Sequence, residues 1–150
     1  MDEIKPCPCD SIQLLKSYDE HFYIYGPASI EIKDKQTDKI RASALDASLS
    51  QLIRRGRLSY GHQDIIVGEI LTEAMIGGKL YKTHVTHDRM MVLGDIWDDT
   101  EASIEARQKS TDGILKSYSI SGQIRKGGST RVCDASGCFR DIFKIDQHAV

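Results

Sequence analysis

The chain has 150 residues, the length of one domain with a sizeable core, and 40% hydrophobic with 28% charged residues is ordinary globular composition. A formal net charge of -2 and a pI near 6.2 give no cationic footprint for nucleic acid, and no apolar run approaches the roughly 18 residues of a membrane span. Neither nucleic acid nor membrane is expected as a partner.

Met1-Asp2-Glu3-Ile4-Lys5-Pro6 lacks the basic start and apolar centre of a secretory signal, which implies a reducing cytoplasm and cysteines present as thiols. Residues 1–20 mix Pro, Cys, Asp and Ser around Ile12, Leu14 and Leu15 and read as an arm leading into a domain over 21–150. His21 to Ile32 is aromatic and β-branched with a Gly26-Pro27 break, so it reads as a strand with a kink or bulge, or as two consecutive strands. Asp34 to Asp38 is a polar turn. From Ile40 to Arg55 the spacing is helical: Leu45, Leu49, Leu52 and Ile53 share a stripe, Ser43 is placed to cap the start, and Gly56 ends it.

Leu58 to His62 returns to a strand period, and Ile65 to Leu71 reads as a buried strand in which Gly68 permits a close approach or bulge. Gly77-Gly78 is a turn. One or two strands follow over Lys79 to Trp97, divided at Asp88-Arg89 and Gly94-Asp95. His84 and His87 do not make a metal pair there, because residues three apart on a strand face opposite ways. Thr100 to Leu115 is helical, with Thr100 as cap, acids near its positive end, and Ile104, Ala106 and Ile114 as partial contacts. The chain closes with a basic glycine turn at Gln123 to Ser129, a loop from Cys133 to Cys138, and an alternating strand over Phe139 to Val150. The abrupt end at Val150 reads as that of a fragment or processed product.

Two stretches carry chemistry. In Lys116-Ser117-Tyr118-Ser119-Ile120-Ser121-Gly122 a strand period sets Tyr118 and Ile120 on one face and three serines on the other, an anchored seat for a nucleophile. A serine row is more often a solvated face. Upstream, Tyr60-Gly61-His62 supplies a histidine, the side chain whose pKa near 6.5 lets it take a hydroxyl proton near neutrality. A lone histidine is itself usually structural. The two together say more than either.

The order strand, helix, His-bearing strand, paired strands, helix, serine strand, glycine turn, last strand resembles the prohead (capsid maturation) serine proteases of tailed phages, which share a fold with the herpesvirus assemblins. The resemblance spans roughly residues 21 to 150. It rests on the helix Ser43 to Arg55, on Tyr60-Gly61-His62 followed by Ile66-Val67-Gly68-Glu69, and on Tyr118-Ser119-Ile120-Ser121-Gly122. Ser121 stands where many relatives have glycine. It implies an α+β fold with a mostly antiparallel, barrel-like core and two or more flanking helices. It makes Ser119 the nucleophile and His62 the general base. The third member is His148 or, second, Asp146, on one face of the last strand; Gly122 and Arg125 are the nearest candidates for oxyanion donors. No cofactor or metal is implied. Substrates would be phage scaffold and major capsid proteins, and the chain itself, cleaved inside the assembling prohead in the host cytoplasm. A homodimer is implied, with the helix Thr100 to Leu115 a candidate contact.

Two other classes fit the same composition. One is a noncatalytic capsid-assembly module on the same fold. The other is a small zinc-stapled domain using Cys7-Pro8-Cys9 and Cys133-x4-Cys138, a spacing without the Cys-x2-Cys knuckle of recognisable zinc sites.

Overall fold

The computed structural model describes residues 12–18, 21–31, 38–61, 65–115, 117–118, 120–135 and 137–150. In chain order the first half gives β1 (Gln13–Tyr18), β2 (His21–Ile30), β3 (Asp38–Ile40), α1 (Ala42–Arg55), β4 (Arg57–Ser59), β5 (Ile66–Leu71), β6 (Glu73–Ile76) and β7 (Lys79–Lys82). The second half gives β8 (His84–Val85), β9 (Arg89–Ile96), α2 (Glu101–Thr111), β10 (Ser121–Ile124), β11 (Ser129–Asp134), β12 (Gly137–Ile142) and β13 (Ile145–Ala149). The fold is α+β. Among the described residues its strands pair antiparallel except β12 with β3, and they form four separate sheets with no closed barrel.

The central sheet runs β1-β2-β9-β5-β4, with β8 also on β9. The His21 segment is one strand, and its break is a register shift between Pro27 and Ser29, where proline has no N–H to give the ladder. Gly68 is required by contact: a Cβ there would lie 2.2 Å from the Asp95 carbonyl oxygen on β9. Of the N-terminal arm, Gln13–Tyr18 joins the sheet edge as β1.

α1 covers the sheet and β13, burying Leu45 and Leu52 completely. Its start differs from expectation. Arg41, not Ser43, is the N-cap residue and makes no side-chain cap; the Ala42 N–H instead donates to Glu31 Oε1 at 3.1 Å, a carboxylate at the positive helix end. Gly56 ends the helix as expected, at φ 61°, with its N–H donating to the Leu52 carbonyl. Gln147 of β13, fully buried, donates from Nε2 to Ser48 Oγ at 2.8 Å and the Leu45 carbonyl at 3.2 Å, fastening α1 to the last strand. α2 opens with Thr100 and Ser103 capping each other's backbone N–H. It stops at Thr111 rather than Leu115, because Asp112 caps it and Gly113 turns the chain at φ 73°. Only Ala106 of its expected apolar contacts is buried; Ile104 and the nearby Ile114 are 56% and 65% exposed.

Gly77 and Gly78, at φ 60° and 81°, turn a β6–β7 ribbon whose first strand the sequence pattern did not disclose. The region read as one or two strands holds three, and Gly94-Asp95 lies inside β9 instead of dividing it. Asp95 can stay in a buried strand because its carboxylate is fully engaged: Phe22 N–H donates to Oδ1 at 2.9 Å and His21 Nδ1 lies 2.7 Å from Oδ2. The final segment is likewise two strands, β12 and β13, with a corner where the Phe143 and Lys144 N–H groups both donate to the Gly128 carbonyl.

The expectation of free thiols fails at Cys133 and Cys138. These residues face each other across the β11–β12 hairpin, Cα atoms 4.0 Å apart, and form a disulfide. Two of the four thiolates of the weighed zinc site are thereby consumed; Cys7 and Cys9 lie outside the described residues. Closing so short a loop is worth about 2 kcal/mol in the chain-entropy account. Dithiothreitol is therefore expected to lower the melting temperature by about 4–8 °C, and a Cys133→Ser, Cys138→Ser chain to lose that response.

β3 and β12 are held by two charged forks. Arg140 donates to both carboxylate oxygens of Asp38 at 2.9 Å, and Arg41 donates to Asp141 at 2.6 to 3.2 Å. The Arg41 hydrogen bonds hold the Asp141 carboxyl below its ordinary value, against the opposing effect of burial. A folded pKa below the unfolded value means stability that is present above about pH 4 and lost as the pH falls through the folded pKa. Melting temperature measured from pH 6 to pH 2 should fall on that limb for the native chain and fall less for Asp141→Asn.

Candidate active site

The described residues of the serine segment join no ladder before Ser121. Of the expected alternation the described residues show Tyr118 and Ile120 buried and Ser117 exposed. Tyr118 anchors it, its hydroxyl donating to the Ile24 carbonyl of β2 at 3.2 Å, with burial pushing the phenol pKa well up. Gly94 of β9 makes the room, since a Cβ there would meet the Tyr118 hydroxyl at 2.9 Å. The histidine segment also leaves the ladder early. β4 ends at Ser59, Gly61 turns at φ 61°, and the Tyr60 N–H donates to the Ile65 carbonyl at 2.9 Å across the base of the turn. Ser119 and His62 themselves lie outside the described residues.

Their neighbours meet. Ser59, Tyr60 and Gly61 line one cavity of about 150 Å³ together with Ser117 and Tyr118. Val150 reaches the same cavity from β13. Its N–H donates to the Arg57 carbonyl at 3.1 Å and its carbonyl accepts from Ser59 N–H at 2.8 Å, joining the chain's last residue to β4 as in a parallel pair. On its other side β13 pairs with β10, Ser121 opposite Ala149 and Gly122 opposite Gln147. The segments preceding His62, preceding Ser119 and following His148 thus converge at one place.

The two candidates for the third position differ. Asp146 and His148 share the less buried face of β13, but neither lines the cavity. Asp146 is committed to Arg125, whose NH2 lies 2.8 Å and Nε 2.9 Å from Oδ1, and that hydrogen bond is the main reason its carboxyl sits below the ordinary range. The same pair occupies Arg125, weakening it as an oxyanion donor. Gly122 has another explanation too: a Cβ there would lie 2.0 Å from the Asp146 carbonyl oxygen, so close strand approach demands glycine. His148 falls where three residues of β13 oppose two of β10, a β-bulge, the device that re-aims a side chain at a sheet edge.

Sequence reasoning missed a histidine that already has a carboxylate. Asp95, buried and tied by the Phe22 N–H, holds His21 Nδ1 at 2.7 Å, and the His21 ring stacks on Tyr23 at 5.3 Å. This is the arrangement that fixes an imidazole's orientation and tautomer. It lies on the opposite face of the central sheet from the cavity, since Phe22, Ile24 and Ile96 face the core and His21 and Asp95 alternate with them. No periodic pattern announces it; the signal available was a charged residue flanked by apolar ones in β9.

Among the described residues no three His, Cys, Asp or Glu side chains gather as metal ligands, and no helix is long and apolar enough to cross a membrane. No protein-family model matches this chain, and comparison with the curated proteins and with the solved structures gives no match either.

Proposed function

We propose that this chain is a serine endopeptidase of phage capsid maturation, with Ser119 as nucleophile and His62 as general base. The observation that carries the reading is that Gly61 and Tyr118, the residues preceding those two, line one cavity. Ser119 Oγ attacks the scissile carbonyl carbon while His62 takes its proton and passes it to the leaving amine; water then hydrolyses the acyl-enzyme with His62 again as base. His148 is the preferred third member, because Asp146 already serves Arg125. Scaffold and major capsid proteins are the proposed substrates, with self-cleavage, homodimerisation and action inside the prohead in the host cytoplasm part of the same reading. The assemblin-like, barrel-like arrangement belongs to it as well; the Val150 bonds to β4, which carry the β10–β13 pair onto the central sheet, favour that arrangement.

The test is a fluorophosphonate probe on the folded chain, read by intact mass and peptide mapping. One adduct, mapped to Ser119 and absent from Ser119→Ala, is the expected result; no adduct on a folded chain rejects the reading. The assembly-module alternative has one observation in its favour: Met75 and Leu80, opposite each other on the β6–β7 ribbon, are 65% and 44% exposed. An unlabelled chain that still binds scaffold protein would point there.

A further inference from the structure

A second concave site lies away from the serine and histidine segments, in a groove of about 230 Å³ bounded by α1, the turn after β10 and the corner before β13. Along α1, Ala44, Ala47, Ser48 and Gln51 recur at three- and four-residue spacing and form one wall, and the small side chains among them leave the space open. Three cations line it from three elements: Arg54 in the last turn of α1, Arg125 just after β10, and Lys144 between β12 and β13. All three are exposed, so their charged ends are open to a ligand. No described Asp or Glu is among the lining residues.

The cations outnumber their partners. Among the described residues Arg54 and Lys144 form no salt bridge, and Arg125 gives Nε and Nη2 to one oxygen of Asp146 at 2.9 and 2.8 Å, which leaves Nη1 uncommitted. Counting Asp146, three positive charges meet one negative, a local excess of two in a chain whose formal net charge is -2. The negative C-terminal end of α1 accounts for Arg54. It does not account for Arg125 and Lys144 gathering beside Arg54, where like charges repel.

We propose that this groove binds a doubly charged oxyanion of the phosphate class, either free phosphate or the phosphoryl group of a small monoester. Such a group carries a charge of about −1.5 to −2 at neutral pH and three acceptor oxygens, which matches an excess of two and donors arriving from three elements. Arginine and lysine make charge-assisted bonds to those oxygens, and the hydroxyl of Ser50, exposed on the same wall, can add another. A single carboxylate would leave one positive charge unmatched. The site does not depend on the peptidase reading.

The probes are inorganic phosphate, glycerol phosphate and acetate, titrated into the full chain at fixed ionic strength and followed by amide NMR shifts of Ser50, Arg54, Arg125 and Lys144. Both phosphates should give saturable shifts and bind about tenfold more tightly than acetate. Tighter binding of glycerol phosphate points to a monoester as the ligand, and equal affinity to the free ion. Arg54→Gln and Lys144→Gln should each weaken phosphate binding about fivefold, and the double variant should lose saturable binding while its melting temperature stays near that of the native chain, since both side chains are exposed and outside any described salt bridge. Asp146→Asn, which releases Arg125 and removes the neighbouring negative charge, should bind phosphate several-fold more tightly. Phosphate binding no better than acetate on the folded native chain, or undiminished binding in the double variant, overturns the inference.

Discussion

Ser119→Ala is expected to lower processing of scaffold and capsid substrates by at least about 10⁴-fold while leaving the melting temperature within about 1 °C. The asymmetry follows from the position. The segment is fastened by Tyr118 and Ile120, both buried, and by the Tyr118 hydroxyl on the Ile24 carbonyl, so removing the serine hydroxyl between them takes away the proposed nucleophile and none of those anchors. His62→Ala should cost a similar factor, and the double variant little more than either, because nucleophile and base act as one unit. Intact mass over time on the chain coexpressed with its scaffold substrate measures all three. Unchanged processing in Ser119→Ala would move the nucleophile to Ser117 or Ser121 or assign the cleavage to another protease. Ser117, exposed on the cavity wall, is the first to substitute next.

The largest effect on stability is expected at Gly68. A methyl group there would sit 2.2 Å from the Asp95 carbonyl oxygen and 3.0 Å from Ile96 Cα, backbone atoms of the strand to which β5 is hydrogen-bonded. Neither can retreat without parting β5 from β9 in the middle of the sheet. Gly68→Ala should cost at least about 4 kcal/mol, much of the stability of a domain this size, and show in urea denaturation as loss of a cooperative transition. Gly94→Ala makes the contrast. The atoms it meets, Leu58 Cδ1 at 2.7 Å and the Tyr118 hydroxyl at 2.9 Å, are side-chain ends that can shift. That variant should stay folded and lose activity, because what moves is the anchor beside Ser119.

The parts of the fold legible in the sequence are those written in a local period. α1 announced itself through Leu45 and Leu52 at helical spacing and through Gly56. Gly68 and the Gly77-Gly78 turn were readable because a missing side chain has few other uses there. What stayed hidden depends on partners far along the chain. Nothing near Ala42 says that Glu31 caps it, and nothing near Asp95 says that Phe22 and His21 will occupy its carboxylate, so a charged residue inside β9 read as a break. Cys133 and Cys138 read as thiols because their pairing depends on the β11–β12 register, which sets them opposite each other and which their spacing alone does not state. At the site, the alternation of Tyr118 and Ile120 was visible, whereas the meeting of Tyr60, Tyr118 and Val150 is a property of β4, β10 and β13 brought together, which no single stretch encodes.

Tyr118 has one more implication. From Asp112 to Ile120 the described residues belong to no sheet, and what ties this crossing to the central sheet includes the Tyr118 hydroxyl on the Ile24 carbonyl and the buried Tyr118 and Ile120 side chains. A crossing held by buried side chains and one hydroxyl, outside any ladder, opens at a lower local cost than the sheet it lies on. Amide hydrogen exchange is therefore expected to be faster at the described residues of this crossing than in β2, β5 and β9, whose N–H groups lie in the ladders of the central sheet.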